Sequence, residues 1–268
     1  MDHARHRGIP VPAAFVARDG DRIVEWGGQW HSMFVFARGR QVESAELDAV
    51  KARAMGVMLA HIHLALVDFP APDRRLAGPR PTAVQTVEQL ERIKAAISAR
   101  AELTQQDHEA LEHLDSKAQA LLASAPPPEP ATAEPAQPIH GDYVHANLFF
   151  DDDAVSGVID WDKAEMLPPS QEIVRAMDLS LDLRPTLCRA FIDGYRDIRP
   201  LTNAALDAGA ADYGFGHLHG LWVHESVYLR GDDRIRRFLT PAPFVPFTDR
   251  WSQIRPALGY APARPTMR

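Results

Sequence analysis

The sequence predicts an α+β chain, mostly helical, with a small strand pair at its front and one β-rich segment over residues 138–162. Three observations predict it. Apolar residues recur at three- and four-residue spacing over residues 44–66, 84–122 and 171–229, as on the buried face of a helix. Residues 22–36 alternate and are rich in aromatics, as strands are. Leu148–Phe150 and Val155–Ile159 are short apolar runs on either side of Asp151-Asp152-Asp153, the pattern of a hairpin with an acidic turn. At 268 residues, 46% hydrophobic and 24% charged, the chain can bury a substantial core and is not wholly disordered. A net charge of −7 argues against a nucleic-acid partner. No unbroken run of about 18 apolar residues is present, so no membrane partner is expected. The N-terminus has no apolar leader pattern, and a lone cysteine, Cys188, fits a reducing cytoplasm.

Each element follows from local chemistry. Gly8-Ile9-Pro10-Val11-Pro12 is an extended entry, because a residue before proline is driven out of the helical region. Arg18-Asp19-Gly20-Asp21 is a turn, Arg22–Trp26 a strand, Gly27-Gly28 a break and Trp30–Phe36 a second strand. Such a pair is marginal alone, so Trp26, Trp30 and Phe34 are expected to be core. A long helix follows, capped at Ser44, with Leu47, Val50, Ala54, Val57, Met58, His61 and Leu64 on one face. Pro70, Pro72, Pro79 and Pro81 mark a loop. Two helices come next, the second opened by a capping-box variant, Thr104 to Asp107. Residues 124–138 hold six prolines and read as a surface loop. Helices near 171–182, 185–197 and 204–229 complete the body, before a proline-rich tail over 241–268.

The chemistry lies in the β-rich segment. If Phe150 pairs with Gly157, Asn147 falls opposite Asp160, about 4.5–5.5 Å apart in an antiparallel pair. An amide oxygen and a carboxylate would then converge as hard ligands suited to Mg²⁺. Asp142, in the loop leading into the hairpin, could accept a proton from a substrate hydroxyl beside that metal.

His140-Gly141-Asp142, Asn147 five residues later, and Ile159-Asp160-Trp161-Asp162 resemble the signature of the aminoglycoside phosphotransferase / choline kinase / type II homoserine kinase superfamily. Gly56-Val-Met-Leu-Ala-His61-Ile-His63 resembles that family's Gly-x-x-Leu-Ala-x-Leu-His helix, and Phe191–Thr202 a segment following its catalytic core. The resemblance implies a protein-kinase-like fold, with a mostly helical C-terminal lobe (39–240) and a reduced N-terminal β lobe (1–38). It implies an ATP- and Mg²⁺-dependent kinase acting on a small-molecule hydroxyl, as of an aminoglycoside, an amino alcohol or a homoserine-like metabolite. Asp142 would be the catalytic base, His140 would prop its loop, and Asn147 and Asp160 would hold the metal. Phe36, Ala37 and Arg38 would form the hinge against the adenine. Asp162, Glu165 and Glu225 are candidates for holding the acceptor, although solvated surface suits Glu165 and Glu225 equally.

One departure stands out. No lysine precedes Lys51 and no glycine-rich loop precedes Gly8, so the nucleotide-covering loop and phosphate-pairing lysine of the family are not found in their place. The readings left open are a chain that starts late, a reduced kinase completed by another segment or partner, and a binding protein that transfers no phosphate. Oligomeric state is not legible. Elsewhere the plain reading prevails: the acidic turn is solvated, His61 and His63 lie two apart and share no metal, His217 and His224 lack a zinc-type pattern, and Cys188 is a buried hydrophobe.

Overall fold

The computed structural model describes residues 1–70, 80–124, 134–240 and 242–259. Parts of the three proline-rich stretches, 71–79, 125–133 and 260–268, together with residue 241, lie outside the described residues. The described chain falls into two compact units: residues 1–76, 132–209 and 254–268, and residues 77–131 and 210–253.

The first unit opens with α1 (Asp2–His6), then β1 (Val24–Trp26) and β2 (Gln29–His31), paired antiparallel. The expected second strand is shorter than its pattern: beyond His31 only Phe34 bridges, to Ala14. All six residues of β1 and β2 are exposed. Trp26 and Trp30 are 77% and 71% exposed and Phe34 is exposed as well, which corrects their assignment to the core. A two-stranded ribbon has no inner side until something packs on it, and nothing among the described residues does.

A single 3₁₀ turn at Ser44–Glu46 precedes α2 (Ala49–Leu66), whose cap is Asp48 rather than Ser44. The buried face of α2 is Ala52, Met55, Gly56, Leu59, Ile62, His63 and Leu66. The expected stripe is therefore corrected: Val50, His61 and Leu64 face solvent. Close packing selects the face. A Cβ on Gly56 would sit 2.0 Å from the Phe191 carbonyl oxygen, and one on Gly194 would sit 2.3 Å from that of Arg53. Two glycines thus let the backbones of α2 and the later helix Pro185–Ile198 touch, which a stripe of larger residues would prevent. By length and composition α2 could cross a membrane, but half of it is buried inside the fold, as befits a core helix.

After the second proline-rich stretch come β3 (Gln137–Ile139), β4 (Leu148–Asp151), β5 (Ala154–Val158) and β6 (Glu165–Leu167). β3 pairs with β6 and β4 with β5, both antiparallel. Helices α5 (Pro169–Leu181) and α6 (Pro185–Ile198) each begin with a proline in the first turn, where a missing N–H costs nothing. Cys188 is buried on α6, and burial pushes its thiol up to about 12, as the inert reading expects.

The second unit is built on α3 (Ala83–Ser98) and α4 (Gln105–Ala123), each opened by a capping box, Thr82 with Gln85 and Thr104 with Asp107. Leu90, Ile93, Ile97, Ala110, Leu114, Leu121 and Leu221 form its core. The expected helix 204–229 is interrupted: α7 (Asn203–His219) stops before Gly220, and α8 (Trp222–His224) runs into a π turn, Glu225–Leu229. A last helix, α9, spans Phe247–Ile254. Burial lowers His217 to about 4 and His224 to about 3, so both are neutral at pH 7.

Candidate active site

The site is built around one buried carboxylate. Glu172, in the first turn of α5, accepts hydrogen bonds from the backbone N–H of His140 at 3.2 Å and of Gly141 at 2.5 Å. It also pairs with His63 Nε2 at 2.9 Å, and both side chains are essentially without solvent exposure. His63 Nδ1 meets the Tyr195 hydroxyl at 2.9 Å. Burial opposes the Glu172 charge, but His63, His140 and the Gly141 N–H outweigh it and hold the carboxyl below its usual range. A charge so enclosed persists only when fully paired. Here it fixes the loop from below, joining α2, α5 and α6 to residues 140–141.

The loop itself is over-determined. Gly141 sits at φ +82°, and a Cβ there would lie 1.9 Å from the Lys163 carbonyl oxygen. His140 is fully buried against Trp161, with ring centroids 4.5 Å apart. Its Nε2 lies 3.0 Å from the Ile159 carbonyl and its Nδ1 accepts the Asp142 N–H at 3.2 Å. The two bonds together require the proton on Nε2. Burial lowers the His140 pKa, so the ring stays in that neutral form. Tyr143, also fully buried, donates to the Met55 carbonyl at 2.9 Å. Asp142 thus stands at the end of a rigid loop with its side chain partly accessible.

The hairpin register differs from the expected one. Phe149, not Phe150, faces Gly157, and a bulge follows at Phe149/Phe150 so that Phe150 faces Val155. Asn147 then meets Ile159, whose N–H donates to the Asn147 carbonyl at 3.0 Å, rather than Asp160. The extra residue on β5 is Ser156, whose hydroxyl donates to the Arg38 carbonyl at 2.7 Å. The bulge is therefore used, since it ties the segment after Phe36 to the hairpin. Past the strand end, Asp160 takes a left-handed backbone, φ +61°, which turns its side chain away from the simple alternation.

Asn147 Nδ2 donates to the Asp142 carbonyl at 2.9 Å, which fixes the amide and leaves Oδ1 outside that bond. No hydrogen bond or ion pair engages the Asp160 carboxylate among the described residues, and Asp160 is exposed. An amide oxygen and an unpaired carboxylate on adjoining hairpin ends suit a hard divalent cation that takes its remaining ligands from phosphate and water. No group of three or more His, Cys, Asp or Glu side chains is arranged to hold a metal among the described residues.

The remaining expected residues distribute as follows. Arg38 pairs with Asp151 at 2.6 Å, Ala37 lies against Gly157, and Phe36 is fully exposed. Asp162 is exposed in the turn after Trp161. Glu165 opens β6 with much of its side chain in solvent, and partial desolvation of its carboxyl, then the Glu172 charge, raises its pKa. Glu225 belongs to the second unit, where Gln89 donates to it at 2.8 Å and Arg230 lies 3.7 Å away. The acidic turn is ion-paired rather than simply solvated: Lys51 reaches Asp153 at 2.8 Å.

Sequence reasoning missed Glu172, His63, Arg175 and Lys163. Arg175 Nη2 donates to Asp142 Oδ1 at 2.5 Å, and Lys163 Nζ stands 3.5 Å from Oδ2. Burial would raise the Asp142 carboxyl, but the Arg175 hydrogen bond and charge, then Lys163, hold it below its usual range. A signal existed for two of the four: Glu172 and His63 interrupt the apolar faces of α5 and α2, and a charged group on such a face needs a partner. Nothing in the sequence marks Arg175 or Lys163.

A two-stranded hairpin and a carboxylate-anchored loop backed by helices define a protein-kinase-like α+β fold. Solved structures agree. The chain superposes on an aminoglycoside phosphotransferase from Alicyclobacillus acidocaldarius with a TM-score of 0.63 over 96% of this chain and 77% of that one, at 12% identity. An amicoumacin kinase in complex with AMP-PNP, Ca²⁺ and Ami gives 0.58 over 92% and 78%, at 16% identity. A spectinomycin phosphotransferase in complex with ADP and spectinomycin gives 0.58 over 96% and 75%, at 11% identity. At such identities the likeness establishes the fold.

The model of the phosphotransferase enzyme family matches residues 1–207, and the chain belongs to that family. Among curated relatives, a homoserine kinase of Gluconacetobacter diazotrophicus is 30% identical over 216 residues, 76% of this chain and 62% of its own length. A homoserine kinase of Bradyrhizobium sp. is 28% identical over 222 residues, 78% of this chain and 61% of its own. The chain thus spans about three fifths of the length of these relatives.

Proposed function

We propose that this chain carries the catalytic loop and metal side of an ATP- and Mg²⁺-dependent phosphotransferase acting on a hydroxyl of a small molecule. The observation that supports the reading is the Glu172 anchor, which holds the loop carrying Asp142, with the Asn147 amide bonded to the Asp142 carbonyl. Asp142 would orient the acceptor hydroxyl and receive its proton as phosphate is transferred in line. Asn147 Oδ1 and Asp160 would hold the metal, whose charge offsets that of the nucleotide phosphates when both are bound. His140 acts through the loop and positions Asp142. Segment 36–38, pinned to the bulge by Ser156, would place backbone at the adenine. Of the acceptors the resemblance implies (aminoglycosides, amino alcohols and homoserine-like metabolites), the last draws support from the similarity to homoserine kinases.

A second reading, a ligand-binding chain without transfer, draws on the Arg175 ion pair, which occupies the base. The two separate in one assay. The chain is incubated with Mg-ATP and a panel of hydroxyl acceptors, and phosphate is followed by ³¹P NMR, for wild type and Asp142→Asn. Transfer that falls about 10²–10⁴-fold in Asp142→Asn is the expected result. Equal turnover by the two proteins would contradict the base assignment, and no transfer by either would leave only the binding reading.

A further inference from the structure

Of the two cations that pair with Asp142, Arg175 is the nearer, and its geometry is half used. Glu172 and Arg175 lie three residues apart on α5 and share a face, so the anchor that fixes the loop also fixes the reach of the guanidinium. Nη2 donates to Asp142 at 2.5 Å. Nη1, on the same planar fork, is shut off from solvent and has no hydrogen-bond partner. The second oxygen of Asp142 is taken by Lys163 at 3.5 Å, an exposed side chain free to swing away. An acceptor hydroxyl therefore competes with Arg175 for Asp142, and a guanidinium that shifts away from Asp142 carries with it a second donor, Nη1, that has no partner in the closed pair. Planar forks of this kind match the two oxygens of a carboxylate.

We propose that Arg175 is the specificity-determining cation of this site: a carboxylate on the acceptor takes the guanidinium in exchange for Asp142, which turns to the acceptor hydroxyl. The exchange makes an anionic hydroxyl compound both substrate and release signal. A polycationic acceptor leaves the ion pair closed, because it repels the cation that must move. The inference rests on the phosphotransferase reading for what the released Asp142 does, and on the Arg175 geometry alone for what binds. The γ-phosphate of the nucleotide is the other anion that could engage the fork, so both are tested.

The measurement is calorimetric binding of L-homoserine and of its uncharged carboxamide to the whole chain, with a Mg-ATP titration alongside. Wild type should bind the acid at least about thirtyfold more tightly than the amide. Arg175→Gln should remove that preference, and Arg175→Lys, which keeps the charge but not the fork, should restore part of it. Arg175→Gln should also raise the pH at which the ¹³C-labelled Asp142 carboxyl titrates. Far-UV circular dichroism establishes that each variant is folded. Equal binding of acid and amide by wild type, binding of neither, or a preference that survives Arg175→Gln would overturn the exchange. So would a loss confined to Mg-ATP, which would assign the fork to the nucleotide. An Arg175-dependent preference for the acid with no phosphate transferred from Mg-ATP would uphold the exchange and defeat the phosphotransferase reading.

Discussion

Two antiparallel strand pairs of similar size stand in the first unit with opposite fates. β4–β5 is half-buried and carries Asn147 and Asp160 at its ends; β1–β2 has no buried residue and carries Trp26 and Trp30 outward. Their local grammar is alike: alternating apolar residues around a turn rich in Gly or Asp. The difference is what meets the flanks. Arg40 exchanges backbone hydrogen bonds with Phe150 at 2.9 and 2.8 Å, and Val158 donates to the Pro10 carbonyl at 2.9 Å. Among the described residues no third strand meets β1–β2. A hairpin becomes a rigid platform when further backbone and a core accept it, and the proposed metal ligands, Asn147 and Asp160, flank the hairpin that is so accepted.

The sharpest way to break this contrast is to remove the anchor beneath the platform. Glu172→Ala strips three donors of their acceptor, among them the buried His63 Nε2. It should cost about 3–5 kcal/mol in urea unfolding; a cost near zero would mean the loop is held by other contacts. Gly141→Ala comes next. It forces a Cβ against the Lys163 carbonyl at an unfavourable φ, and about 1–3 kcal/mol of strain is expected, with phosphate transfer lost alongside. An unaffected protein would show that the turn is not fixed as described.

pH separates the two units. Glu172 has a folded pKa below its unfolded value, so its contribution is present at neutral pH and is lost as pH falls through the folded value. In the second unit His217 and His224 have pKa values depressed to about 4 and about 3. The unfolded chain takes up protons at these positions first, so stability falls as pH drops below 6.5 and goes on falling towards about 4. His140, also lowered by burial, acts in the same direction in the first unit, but the two imidazoles depressed to about 4 and about 3 lie in the second, so hydrogen exchange at pH 7 and pH 5 should show α3 and α4 loosening before residues 138–181 do. The reverse order would contradict the burial of these imidazoles. The smallest effect is expected on the ribbon: Trp26→Ser with Trp30→Ser should change stability by no more than about 0.5 kcal/mol. A larger loss would show that the ribbon is covered in solution.

The contrast also marks what the sequence could reveal. The candidate segment was legible as a hairpin because its signals are local: Asp142, Asn147 and Asp160 lie within one loop–strand–turn–strand unit, and Thr104 with Asp107 is a capping box on its own. What escaped was long-range. The buried face of α2 is chosen by Gly56 and Gly194, 138 positions apart, and no stripe pattern on α2 alone can reveal it. Trp26 and Trp30 read as core because aromatics usually are, whereas burial depends on a neighbour that no strand pattern supplies. The register slipped by one at Phe149 because a bulge leaves almost no trace in composition. Arg175 and Lys163 look like any exposed cation until α5 and β6 bring them to Asp142.

Metal-dependent nucleotide binding tests most directly whether the platform is a phosphotransferase site. Mg-ATP is titrated calorimetrically into the wild-type chain and into Asp160→Ala, with Asn147→Ala as a second variant. A site that needs Mg²⁺ and weakens by about tenfold or more in both variants is the expected result. Binding that is indifferent to Mg²⁺, or unchanged when Asp160 is removed, would contradict the assignment of Asn147 and Asp160 as the metal's ligands.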